Sequence, residues 1–170
     1  MDDLKSAKNK TSRAKRVLRG LYSSGGHYSL LSAYALRYPQ AILTLTSALS
    51  LYGLTDFRLE PPFSFAFPRG SRIVSDPNVL QHFVSDGYFR LGETKAAYEG
   101  RAIRVYDLER LLIEVFHAKN KLGPERYKAA IRAYRDLVRT NHFSVPKFED
   151  YARQLPFAKS YMIRFSLEVM

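Results

Sequence analysis

The chain has 170 residues, 46% of them hydrophobic and 25% charged, with no cysteine and a net charge of +11. That length suits one domain, or one domain and a fragment. The missing cysteine excludes disulfides, thiolate metal sites and thiol nucleophiles, and no apolar run approaches the roughly 20 residues that cross a bilayer. The charge is unevenly placed: residues 1–20 hold seven basic and two acidic side chains, residues 21–116 nine of each, and residues 117–170 eleven basic against five acidic. Positive ends on a neutral middle point to a polyanion met by the termini. The first residues, Met1-Asp2-Asp3-Leu4-Lys5, hold no export-signal core, which predicts a cytoplasmic protein with no membrane contact.

In chain order, residues 1–18 lack apolar periodicity and are rich in Lys, Ser, Asn and Thr, a composition that favours disorder or a frayed helix. Arg16 to Tyr22 reads as one short strand. After Ser23-Ser24-Gly25-Gly26, the spacing of Leu30, Leu31 and Tyr34 predicts a helix from Tyr28 to Tyr38, which Pro39 ends. Ala41-Ile42-Leu43 reads as a buried strand. Thr44 then caps a helix through Tyr52, with Ser47 completing a loose capping box and Gly53 supplying the left-handed stop.

The alternation in Phe63-Ser64-Phe65-Ala66-Phe67 predicts a strand, and Pro68-Arg69-Gly70 a turn. Val79 to Val84 fits a strand or a helix by its residues alone, and Asp86-Gly87 reads as a turn. Phe89 to Tyr98 and Ala102 to Tyr106 pair as a hairpin about Glu99-Gly100-Arg101. Asp107 is placed to cap a helix over Leu108 to Ala118. The remainder is helical. Gly123-Pro124-Glu125 starts a helix whose buried face is Tyr127, Ile131, Tyr134 and Val138. Ser144-Val145-Pro146 opens another to about Leu155, and Phe157 to Met170 forms the last.

Catalytic and metal chemistry finds little footing. His27, His82, His117 and His142 are scattered, with no pair at ligand spacing, and Ser24-Gly25-Gly26 lacks the lysine of a phosphate-binding loop. Asp86 followed by Glu93-Thr94-Lys95 has the residue types of a metal-dependent nuclease, two carboxylates for a divalent ion and a lysine beside the water. The hairpin position of the Glu-Thr-Lys run argues instead for a solvated strand face. No catalytic residue, metal or cofactor is therefore expected. The sharper candidate is a cationic stripe, Lys128, Arg132, Arg135 and Arg139, spread over about 16 Å of helix at ~1.5 Å per residue. Such a stripe tracks phosphates or docks an acidic partner, and it is equally the solvated side of an amphipathic helix.

Four segments recur in a fixed order: Arg19-Gly20-Leu21-Tyr22; Ala48-Leu49 leading to Gly53-Leu54-Thr55-Asp56; Phe67-Pro68-Arg69-Gly70; and Ile103-Arg104-Val105-Tyr106-Asp107-Leu108-Glu109-Arg110-Leu111-Leu112. In order and spacing they resemble the AbiEi family of abortive-infection antitoxins, the regulatory partners in two-gene prokaryotic toxin–antitoxin systems. The resemblance implies an α+β fold, a small mixed or antiparallel sheet with helices followed by a C-terminal helical bundle, and it makes Val79 to Val84 a strand. Residues 1–25 would be the basic remnant of a DNA-binding winged helix, and residues 26–170 the antitoxin domain, α+β over 26–118 and helical over 119–170.

It further implies a transcriptional regulator of its own operon that counteracts a nucleotidyltransferase-like toxin in phage defence. The partners would then be that toxin and promoter DNA. Arg13, Lys15, Arg16 and Arg19 lead into the segment similar to the wing and become candidate phosphate contacts. Asp107 is expected to cap, Arg110 to reach neighbouring carboxylates, and none of the signature residues to be catalytic. Two departures stand out. A whole winged helix needs about 50 residues ahead of Tyr22, where 21 are present, so operator binding is expected to be weak and steeply salt-dependent. Thr44-Leu45-Thr46 also stands where many relatives carry Ser-His-Glu. The alternative is a stand-alone nucleic-acid-binding protein, or a nuclease-like relative on the same scaffold.

Overall fold

A computed structural model describes residues 15–18, 21–23 and 29–170. Where the sequence suggests one strand, two form an antiparallel pair, β1 (Lys15–Leu18) and β2 (Leu21–Ser23), with Arg16 opposite Tyr22. Helix α1 (Leu30–Arg37) follows, its first turn capped by Ser29 Oγ, which accepts from Ser32 N at 3.1 Å. The short strand β3 (Ile42–Leu43) leads directly into α2 (Leu45–Leu51).

The capping box expected at α2 does not form. Leu45 enters the helix with φ +45°, Thr44 makes no side-chain capping bond, and Ser47 Oγ accepts from Ser64 N across to the next strand. The C-terminal stop is as expected. Gly53 lies at φ +67° while Gly53 N donates to Ser50 O and Leu54 N to Leu49 O, the two bonds of a Schellman turn.

Strands β4 (Phe63–Pro68) and β5 (Val79–Val84) run parallel in full register, Phe63 beside Val79. Asp86-Gly87 is not a free turn but opens the single-turn helix α3 (Asp86–Phe89). Phe89 therefore belongs to a helix, and the hairpin strands are β6 (Glu93–Tyr98) and β7 (Arg101–Tyr106). Their two-residue turn, Glu99 at φ +46° and Gly100 at φ +75°, has the two positive angles that a tight hairpin of this twist requires.

The five strands align as β5-β4-β3-β7-β6, a mixed sheet in which β3 pairs antiparallel with β4 and parallel with β7. Helix α1 lies against the sheet through Tyr34 on Phe63 and Tyr38 on Phe67. All of Phe63 to Phe67 is buried because α2 also packs on β4, where the small Ser64 and Ala66 leave room.

The rest is helical: α4 (Leu108–His117), α5 (Lys119–Leu122), α6 (Pro124–Arg139), α7 (Val145–Gln154) and α8 (Ala158–Arg164). The last predicted helix does not run through. It passes into a π-helical turn at Phe165–Val169, and Phe157 before it is left-handed. Tyr161, Phe165 and Val169 are buried as the spacing requires. Helix α4 packs on α2, α6, α7 and α8, and Phe143, Phe148 and Phe165 stack at its side, with ring centroids 4.7–5.9 Å apart. The buried side chains from Leu31 to Val169 form one cluster joining sheet and bundle. Among the described residues no helix is long and apolar enough to cross a membrane.

Candidate nucleic-acid and partner surfaces

The junction of β7 and α4 gathers a network of charged side chains. Asp107 Oδ1 accepts from Arg110 N at 2.9 Å and caps α4, while Oδ2 accepts from Tyr151 OH at 2.9 Å and pairs with Lys147 at 3.0 Å. Glu109 shares Lys147 at 3.1 Å and accepts from Ser144 N, which fixes the start of α7. Burial by itself would lower the Lys147 pKa, but hydrogen bonds to Asp107 and Glu109 outweigh it and raise the pKa instead. Arg110, 2% exposed, lies over the Tyr106 ring and pairs with Glu114 at 2.8 Å. These charges pair with one another and hold the fold, with the Arg110 Nε–H left without an acceptor among the described residues.

The residues of the nuclease-like pattern are also accounted for. Asp86 is exposed on α3. Glu93 accepts from Arg104 Nε at 2.6 Å, and that bond, with Arg90 and Lys95 nearby, holds its carboxyl below the usual carboxylate range. Among the described residues, no group of three or more His, Asp or Glu side chains is arranged to hold a metal ion.

Of the N-terminal candidates, Arg13 and Arg19 lie outside the described residues. Lys15 starts β1, and Arg16 is exposed on it. Strand β1 rests on α1, and α1 also contacts β7. Between α1 and the β6–β7 hairpin lies a cleft of about 460 Å³ lined by Ser32, Leu36, Phe65, Lys95, Arg101 and Arg104. Lys95 sits directly opposite Arg104 on the paired strands. Like charges at opposed positions repel; Glu93 and the carbonyl of Pro39 quench Arg104, while the exposed Lys95 makes no ion pair among the described residues. Reading for isolated basic runs missed this cluster. The strand register carries the signal, since an opposed Lys and Arg need an anion or a diagonal carboxylate.

The α6 stripe is solvent-facing throughout, with Lys128, Arg132, Arg135 and Arg139 all exposed beside the buried Tyr127, Ile131 and Tyr134. Its charge is partly committed. Arg139 pairs with Asp136, Lys128 approaches Glu125 at 3.9 Å, and Arg135 Nε donates to the carbonyl of Glu168 at 2.7 Å. Arg132 makes no ion pair among the described residues. It borders a groove of about 290 Å³ shared with Arg135 and with Leu167, whose side chain is exposed. A cation flanked by an open apolar side chain suits an acidic protein surface better than a bare phosphate chain.

No model of a known protein family matches the chain, and no curated protein matches it either.

Proposed function

We propose that this chain is the antitoxin and transcriptional regulator of a toxin–antitoxin operon of the abortive-infection type, restraining a nucleotidyltransferase-like toxin encoded beside it. The observation that carries this reading is the work done by the signature residues. Gly53 closes a Schellman turn, Asp107 caps α4, Glu109 secures α7, and Arg110 pairs within the core. The segments that carry the resemblance to the AbiEi antitoxins are thus segments this fold uses for its own wiring. In this reading the β1–β2 pair is the wing beside the DNA-binding end, and the α6 groove with Arg132 and Leu167 is the face offered to the toxin.

The test is co-expression with the adjacent gene. Rescue of growth with co-purification of both chains is the expected result, lost on Arg132→Glu with the fold intact. Failure to rescue, with no complex, refutes the proposal.

A second reading, a stand-alone nucleic-acid-binding protein, is favoured by the Lys95–Arg104 cleft lying on the same helix as β1. It requires salt-dependent DNA binding whose slope falls by about one for each of Arg16→Ala and Lys95→Ala, together with no effect on any neighbouring gene product.

A further inference from the structure

Two signature arginines that lie far apart in sequence, Arg69 and Arg110, line one cleft of about 350 Å³ between the sheet and the helical bundle. We propose that this cleft binds a nucleoside monophosphate, its phosphate on Arg69 and Arg110 and its base against Tyr88 and Phe157. The proposal stands apart from the antitoxin reading and draws on neither surface invoked there.

Three independent features point to a ligand. The first is an unmet donor. Arg110 is 2% exposed, its Nη2 pairs with Glu114, and its Nε–H finds no acceptor among the described residues. Buried polar groups are nearly always satisfied, so a buried guanidinium N–H without an acceptor on the wall of a cleft marks a place for an oxyanion.

The second is position. Strands β4 and β5 are parallel, and both end at this cleft, β4 running into Arg69 and β5 into Ser85. In α/β sheets the crevice beyond the carboxyl ends of parallel strands is where ligands collect, and seams between substructures are favoured as well. Ser85 lines the cleft, and its hydroxyl makes no capping bond to α3.

The third is strain without a packing reward. Phe157 is held at φ +68° although it carries a bulky side chain, and its ring is 72% exposed at the rim. Non-glycine residues in this region are uncommon, and such strain clusters at ligand clamps.

The charge and size then select the ligand class. Arg69 and Arg110 face one carboxylate, Glu114, so the lining carries a net positive charge and favours an anion. Tyr88 and Phe157 offer faces to an aromatic ring. The volume falls at the small end of the roughly 300–1,000 Å³ typical of small-molecule pockets. A single nucleotide combines the ring, the anion and the size.

Calorimetric titration of the full chain with AMP, GMP, CMP and UMP, alongside the matching nucleosides and inorganic phosphate, tests the proposal. At least one nucleotide is expected to bind, with its nucleoside and inorganic phosphate each about tenfold weaker or worse. Arg69→Ala should weaken binding about tenfold, and Phe157→Gly about five- to tenfold through lost stacking. Both residues are exposed, so both variants fold. Phe157→Gly should melt no lower than the parent, because glycine adopts a positive φ freely. The proposal is overturned if no nucleotide binds at about 1 mM, if inorganic phosphate binds as tightly as the nucleotides, or if both variants bind like the parent.

Discussion

His82 makes folding stability sensitive to mild acid. It sits on β5 with its Nε2 unpartnered among the described residues, and burial, helped by the nearby Lys121 charge, pushes its pKa down to about 4. The unfolded chain takes up that proton near pH 6.5. Between the two values the unfolded state binds more protons than the folded one, so this contribution is complete above about pH 6.5 and falls away as the pH drops toward 4. From pH 7.5 to pH 5.0 the linkage amounts to at most about 2 kcal/mol for a shift of that size. The ring keeps some contact with solvent, which screens the effect, so about 1 kcal/mol is the working figure. For a chain of this length that is roughly 2–4 °C in melting temperature. The assay is thermal or urea unfolding of the parent and His82→Leu at several pH values across that window. The exposed His117 and His142 are common to both proteins and cancel in the comparison. The two stability curves should diverge toward acid, the variant losing less. Curves that stay parallel from pH 7.5 to 5.0 would show that His82 is not held neutral by burial.

Two further predictions probe the β7–α4 junction by urea unfolding. A Cβ added at Gly92 would lie 2.3 Å from Arg110 Cβ at a φ of +74°, so Gly92→Ala should cost about 2–4 kcal/mol. Gly100→Ala, at a similar φ but facing open space, should cost only about 1 kcal/mol. Equal losses at the two positions would mean that the contact with Arg110 is unimportant. Asp107→Ala removes a helix cap and the partner of both Tyr151 and Lys147, for about 2–3 kcal/mol, whereas Asp107→Asn keeps the cap and should lose about half as much.

Local chemistry made much of this fold readable. Gly53, Gly123-Pro124 and Asp107 announce helix ends because their geometry is set within a few residues. Helix α6 is visible from its apolar spacing, and its stripe is solvent-facing as that spacing demands. The failures share a different cause. Thr44 and Ser47 have the residue types of a capping box, but Ser47 is recruited by Ser64, 17 residues away, and tertiary hydrogen bonding wins over the local option. Phe89 continues a plausible strand pattern, yet it is drawn into α3, where its carbonyl accepts from Tyr106 OH. The two clefts were equally hidden. Each is made by residues from three or more elements: the hairpin register brings Lys95 to Arg104, but only the tertiary fold closes α1 over that pair or brings Arg69 to Arg110.

The run from Arg104 to Arg110 is where these threads meet. Arg104 ties β6 to the loop before β3 through Glu93 and Pro39. The carbonyl of Tyr106 accepts from Tyr52 at the end of α2, its hydroxyl donates to the carbonyl of Phe89 on α3, and Asp107 N donates to Gly92 O. The carbonyl of Leu108 accepts from Tyr134 on α6, and Asp107 and Glu109 hold α7. Seven consecutive residues therefore join the sheet to the bundle. The same wiring governs how function has to be mapped. A change at Asp107 or Arg110 disturbs the sheet and the bundle together, so a lost activity there reports on folding. Exposed positions such as Lys95, Arg132 and Phe157 report on binding, because each stands on a different surface and outside this network.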